Sequence, residues 1–91
     1  MISATLVGVN TFEVVVEGRD DTTHRVTLQP DYYKKLCGGT ITHEWVIIQA
    51  FNFLLERESN TAILESFDLE DINDYFSEFE EEMANRLGST R

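Results

Sequence analysis

The first 29 residues alternate apolar and polar side chains with a period of two, which is the pattern of strands with one buried face. Turn-forming residues interrupt this alternation twice, at 8–11 and at 17–21. Because both connections are short, neighbouring strands are expected to run antiparallel. The sequence therefore predicts a three-stranded antiparallel meander, with strands at about 2–7, 12–17 and 22–29.

Beyond Pro30 the apolar residues recur at intervals of three and four, which is the spacing of helices. Gly38 and Gly39 are expected to end the first helix in the left-handed conformation, and Thr42 is expected to cap the second. The predicted helices lie at about 31–36, 42–58 and 69–87. The predicted fold class is therefore α+β: one domain, 1–87, in which the meander packs against two or three C-terminal helices, followed by a frayed tail at 88–91.

Length and cysteine content bear on the number of domains and on the cellular compartment. Ninety-one residues suffice for one core but not for two. Cys37 is the single cysteine, so no internal disulfide can form, and a reducing compartment is favoured. The first residues lack the basic and apolar regions of a signal peptide, and no apolar run approaches the length of a membrane span. We expect a soluble cytoplasmic protein.

The chain is strongly acidic, with 17 acidic and 7 basic residues and a formal charge of −10. Residues 1–60 hold 8 acids and 5 bases, a net −3, whereas residues 61–91 hold 9 acids and 2 bases, a net −7. Such a field repels nucleic-acid phosphates and acidic membrane surfaces and attracts basic partners. We therefore expect a protein partner, either a second copy or a basic protein, and neither nucleic acid nor membrane.

The residues that usually hold metals or perform catalysis are few. Cys37, His24 and His43 are the only Cys and His residues, too few and too widely spaced for a zinc site. The acidic run from Asp68 lacks the spacing of a calcium loop, and no Lys follows the glycine pair as in a phosphate-binding loop. The sequence assigns no catalytic, cofactor-binding or metal-binding residue, and no cofactor is expected.

The second predicted helix is unusual because its apolar arc is wider than a surface helix needs. Its polar stripe consists of Trp45, Gln49, Asn52 and Glu56. Large aromatic residues are enriched at interfaces, so this stripe is a candidate surface for a partner. The alternative is that Trp45 folds over a neighbouring element as a partly exposed core residue.

Residues 24–58 run strand, Pro30, short helix, glycine turn and Thr-capped helix. This order, with His-Arg-Val-Thr-Leu-Gln-Pro in the strand, resembles ribbon–helix–helix DNA-binding repressors. In that family two chains pair one strand each, and the outward strand residues read the major groove. The resemblance implies that Arg25, Thr27 and Gln29 would contact bases.

A second resemblance covers most of the chain and concerns a group of small uncharacterised bacterial proteins. It depends on His24-Arg-Val-Thr-Leu, Pro30-Asp-Tyr-Tyr, the glycine pair, Phe51-Asn-Phe-Leu-Leu-Glu-Arg-Glu, Phe67-Asp-Leu and Tyr75-Phe76. It implies a bacterial, single-domain protein and brings no activity or binding residue with it.

These observations favour a non-catalytic protein–protein interaction module. The alternative is a transcriptional regulator of ribbon–helix–helix type. A third hypothesis is a small enzyme with an unidentified carboxylate site, for which the sequence singles out no pair among the 17 acids.

Overall fold

The computed structural model describes residues 1–88, and its alternating N-terminal segments form the predicted meander. The strands are β1 (Ile2–Gly8), β2 (Thr11–Val16) and β3 (Thr22–Thr27), each antiparallel to the next. A fourth strand, β4 (Ser66–Asp68), lies beside β3 and runs parallel to it, which gives the sheet order β1-β2-β3-β4. The α+β class is confirmed, but the sheet has four strands rather than three. Three residues are too few to show an alternating pattern, so β4 left no signal in the sequence.

In the described part of the chain, four helices follow the meander: α1 (Pro30–Cys37), α2 (His43–Leu55), α3 (Ile72–Tyr75) and α4 (Phe79–Leu87). Short 3-10 turns lie at Asn60–Ala62 and Leu69–Asp71.

The ends of α1 and α2 follow from local chemistry. Pro30 occupies the first turn of α1, and Gly38 ends it with a φ of 64°. The Thr42 hydroxyl accepts a hydrogen bond of 3.2 Å from the N–H of Trp45 and so caps α2. α2 ends at Leu55, before the predicted residue 58; just beyond it the N–H of Arg57 bonds to the carbonyl of Leu54, three residues back, which is the tighter 3-10 type of turn.

The single helix predicted at 69–87 is wrong, because the chain bends between α3 and α4. Phe76 is extended, with φ −135° and ψ 99°, and a turn at Ser77 and Glu78 leads into α4. The apolar spacing continues unchanged across the bend, so periodicity alone could not reveal it. Gly88 ends α4 with a φ of 69°. Of the predicted frayed tail, residues 89–91 lie outside the described part of the chain.

All four helices contribute to a layer on one face of the sheet, where the core lies. The strands supply Phe12, Val14, Val16 and Val26, and α4 supplies Phe79, Met83 and Leu87. The wide apolar arc of α2 is mostly core, since Val46, Ile47, Ala50, Phe51, Phe53 and Leu54 are all buried. The opposite face of the sheet carries hydroxyl and charged side chains, as is common in antiparallel sheets. Within residues 1–88 no helix is long and apolar enough to cross a membrane.

Candidate functional site

An open cleft of about 340 Å³ lies where the C-terminal end of α2 meets the segment 60–67 and α3. Its floor is apolar and buried, formed chiefly by Leu54, Ile63 and Ile72. Two large side chains on its rim face solvent: Leu64 is 51% exposed and Tyr75 is 68% exposed. The remaining lining residues are Glu58, Ala62, Phe67, Asp71 and Phe76.

One wall of the cleft is held by a buried histidine. The Nδ1 of His24, on β3, donates to the carbonyl of Leu64 at 2.7 Å; because a carbonyl only accepts, this nitrogen carries the proton. Its Nε2 lies 2.9 Å from the hydroxyl of Thr22. The side-chain amide of Asn60 donates to that hydroxyl at 3.0 Å and to the Asp20 carbonyl at 2.7 Å. The segment 60–64 is therefore fixed to the sheet at two points.

The opposite wall, α3, is also held by polar contacts. Near its start, the Asp71 carboxylate accepts a hydrogen bond of 3.2 Å from the N–H of Asp68, at the end of β4. The side-chain amide of Asn73 donates to Tyr32 Oη at 2.7 Å and to Glu80 Oε2 at 2.9 Å, which connects α3 to α1 and α4. Because both walls are tied to the core, the cleft is preformed.

The cleft lies in a field of unbalanced negative charge. Residues 58–82 contain ten acidic side chains and no Lys, Arg or His. Two of the ten, Glu58 and Asp71, line the cleft, and neither belongs to an ion pair within residues 1–88.

Arg57 immediately precedes this stretch, and its guanidinium already contacts other side chains of the protein. Its Nε bonds to Glu78 at 3.1 Å, and its guanidinium lies 3.6 Å from the centre of the Phe53 ring. The pKa of the Glu78 carboxyl is lowered, by a backbone hydrogen bond first and by Arg57 second. Arg57 therefore makes no ion pair with Glu58 or Asp71, the two carboxylates that line the cleft.

The stripe predicted as a partner surface lies elsewhere. Trp45, Gln49, Asn52 and Glu56 follow the side of α2 that faces away from the core, and none of them lines the cleft. Trp45 is 48% exposed. Glu56 is committed to internal ion pairs, at 2.6 Å from Arg86 and 3.4 Å from Arg57, and its pKa is lowered chiefly by the hydrogen bond from Arg86.

The residues that the ribbon–helix–helix resemblance singles out lie on or just after β3. Arg25 and Gln29 are exposed and Thr27 is half-buried. However, β3 pairs with β2 on one side and with β4 on the other, and the N–H of Arg25 bonds to the carbonyl of Glu65 at 2.7 Å. This strand therefore has no free edge with which to form the two-chain ribbon that the resemblance requires.

The three residues considered for a metal or nucleophilic site are not brought together. His24 is buried against Phe51, whereas His43 stacks on Tyr33 with ring centres 3.8 Å apart. The Cys37 thiol is buried and lies 3.5 Å from the carbonyl of Tyr33. Within residues 1–88 no cluster of three or more His, Cys, Asp or Glu side chains is arranged to hold a metal ion.

The cleft is lined by few polar side chains. It offers two carboxylates and one phenol among apolar groups, and it includes no Cys, His, Ser or Lys. No family model, curated protein or solved structure matches this chain. Sequence reasoning missed Leu64 and Tyr75 because their neighbours are contributed by distant segments; the available signal was the base-free acidic stretch around them.

Proposed function

We propose that this protein is a non-catalytic binding module whose cleft receives an apolar side chain from a basic segment of a partner protein. The observation that carries the proposal is an apolar floor whose two lining carboxylates, Glu58 and Asp71, belong to no ion pair within residues 1–88. An apolar side chain would cover Leu54, Ile63 and Ile72, and Lys or Arg on either side of it would face Glu58 and Asp71.

Two features of the cleft support this function over the alternatives. A single exposed leucine is ordinary on a protein surface, but Leu64 and Tyr75 flank a concave apolar floor, as expected of a binding site. The charge is also of the sign that repels nucleic acid. The expected setting is the reducing cytoplasm of a bacterium, consistent with the unpaired Cys37.

The test uses short synthetic peptides in which one Leu or Phe is flanked by Lys and Arg. Added to isotope-labelled protein, they should shift the amide resonances of residues that line the cleft, and the affinity should fall as salt is raised. The same peptides with Glu flanks, or with Gly in place of the apolar residue, serve as negative controls.

Two matched pairs of variants locate the site. Leu64→Ser should weaken binding of the basic peptides by about tenfold, because it removes a large apolar side chain that flanks the cleft. Val9→Ser, at an exposed apolar residue in the turn after β1, should leave it unchanged. Likewise Glu58→Gln should weaken binding and reduce its salt dependence, whereas Glu44→Gln, on the first turn of α2, should not. If no cleft resonance moves, or if Leu64→Ser binds like the wild type, the proposal is wrong.

A further inference from the structure

The two edges of the sheet differ in length and chemistry. β4 forms one edge with only three residues, including Asp68. β1 forms the other with seven residues, and no side chain in residues 1–12 is charged. Edge strands are normally short, charged or interrupted by proline, because an open edge accepts another strand. Within residues 1–88, β1 lacks all three protections.

The apolar face of the sheet is also incompletely covered at β1. Ile2, Ala4 and Leu6 lie opposite the buried Val16, Val14 and Phe12, so they belong to the face of the sheet that the helices cover. Nevertheless Ile2 and Ala4 are only half-buried, and Leu6 is 58% exposed. An apolar row on the core side of the sheet is thus left incompletely covered along this edge.

The hydrogen-bonding pattern shows which backbone groups are free. Met1 and Glu17 exchange both backbone bonds, N–H of Glu17 to O of Met1 at 2.8 Å and N–H of Met1 to O of Glu17 at 3.2 Å. In an antiparallel pair such bonded positions alternate, so Ser3 and Thr5 also bond to β2. The N–H and C=O groups of Ile2, Ala4 and Leu6 therefore point away from β2, towards the open edge.

We propose that β1 pairs antiparallel with β1 of a second copy of this chain, around a twofold axis at Ala4. In this register Ala4 lies opposite its own equivalent and Ile2 lies opposite Leu6 of the second copy. All three residues with outward backbone groups are then hydrogen-bonded, and the apolar row continues from one copy into the next. On the other face Ser3 lies opposite Thr5, a pairing of hydroxyl side chains that favours neighbouring strands.

The self-complementary register selects a second copy as the occupant. Two molecules of charge −10 repel each other over most of their surfaces. The β1 edge is the part of the sheet where they can meet without opposing carboxylates, whereas a basic partner gains no attraction there. A shift of one residue would put the outward N–H and C=O groups of the two copies out of hydrogen-bonding alignment. The irregularity between Leu6 and Gly8 lies beyond the residues that pair in this register. The pairing is self-complementary and uses the β1 edge of each copy. No β1 edge is then left for a third copy, so assembly stops at a dimer.

Mass measurement by light scattering, together with sedimentation equilibrium, tests the pairing. The wild type should have a mass of about 21 kDa, twice the 10.5 kDa of the chain. Leu6→Lys should raise the dissociation constant of the dimer by at least about tenfold, because it places an ammonium group in the apolar row. Thr23→Lys makes the same change in net charge on β3, away from the open edge, and should alter that constant by less than about threefold.

Both variants replace exposed residues, and circular dichroism with thermal melting verifies that they fold. A monomeric wild type, or a Leu6→Lys dimer as tight as the wild type, would overturn the proposal.

Cysteine cross-linking tests the register independently. Across a bonded antiparallel pair the Cα atoms are about 5.5 Å apart, within the range of a disulfide, so Ala4→Cys should form a covalent dimer on mild oxidation. Thr5→Cys lies two positions from its own equivalent, about 8 Å away, and should remain uncross-linked. The native Cys37 is buried, so the wild type gives the background level of cross-linking for both variants. Equal cross-linking of both variants, or cross-linking of Thr5→Cys alone, would refute the twofold axis at Ala4.

Discussion

At the scale of single residues, His24 shows how a polar side chain inside the core positions a surface feature. It is 2% exposed, its ring lies 5.5 Å from that of Phe51, and it bonds to the carbonyl of Leu64. Within β3 it lies on the same side of the strand as the buried Val26. Its partner could not be predicted, because Leu64 is 40 positions away and belongs to no periodic segment.

Replacing His24 should therefore be costly. His24→Ala removes two hydrogen bonds, leaves the Leu64 carbonyl without its donor and opens a cavity beside Phe51. We expect the free energy of unfolding, measured in urea, to fall by about 2–4 kcal/mol. His43→Ala removes an exposed ring that stacks on Tyr33 and should cost less than about 1.5 kcal/mol. Equal losses in the two variants would show that the buried hydrogen bonds contribute little.

At the scale of secondary structure, local chemistry accounts for what the sequence could predict. Alternation located the three strands of the meander, and Pro30, Gly38 and Thr42 marked helix ends. The bend at Phe76 and the strand β4 were missed because both are tertiary effects. The extended Phe76 lets its ring pack at 5.8 Å against Phe53 while α4 turns towards α1 and α2, without any change in apolar spacing. The cleft was missed for the same reason, since its walls meet only after the chain bends.

Hydrogen bonds among Tyr32, Asn73 and Glu80 connect α1, α3 and α4. They predict how the free energy of unfolding depends on pH. Tyr32 donates to Glu80 at 3.0 Å and accepts from Asn73; its burial, with a smaller contribution from Glu80, raises its phenol pKa. The folded state thus holds this proton more tightly than the unfolded chain, in which a tyrosine titrates near pH 10. The stabilisation is complete below about pH 10 and is lost as the pH rises above that value.

Tyr32→Phe should cost about 1 kcal/mol at neutral pH and should flatten the loss of unfolding free energy above about pH 10. Tyr75→Phe, at a tyrosine that is 68% exposed, is the control and should keep the wild-type slope. The measurement is urea unfolding at a series of pH values between neutral and strongly alkaline. A Tyr32→Phe variant with an unchanged alkaline slope would show that this phenol does not govern it.

At the scale of the whole molecule, the dominant feature is the charge of −10, concentrated in the base-free stretch 58–82. Among residues 1–88, five internal ion pairs involve Glu56, Glu78, Glu80 and Glu82, and most of the other acids are solvated and repel one another. Salt screens such repulsion, since the Debye length at physiological ionic strength is about 8 Å. Added salt should therefore stabilise this fold while it weakens binding to a basic partner.

We expect the melting temperature to rise by about 4–8 °C between very low salt and physiological salt, which corresponds to about 1 kcal/mol for a domain of this size. A double variant, Asp74→Asn with Glu81→Gln, removes two exposed acids outside the ion pairs and should show a smaller gain. Melting in sucrose at equal osmolarity is the control. It separates the screening of charges by salt from the exclusion of a solute from the protein surface. A melting temperature that falls with salt would mean that ion pairs outweigh the repulsion.

The parallel pairing of β3 with β4 also bears on the order in which parts of the chain fold. Hairpins between neighbouring strands close early because they join nearby residues, whereas Val26 must wait for Phe67, far along the chain. The β1 edge depends only on pairings between neighbouring strands, whereas the cleft needs the segment that contains β4 to dock. Of the two surfaces proposed for binding, the edge therefore depends on contacts that are near in sequence, and the cleft depends on contacts that are distant in sequence.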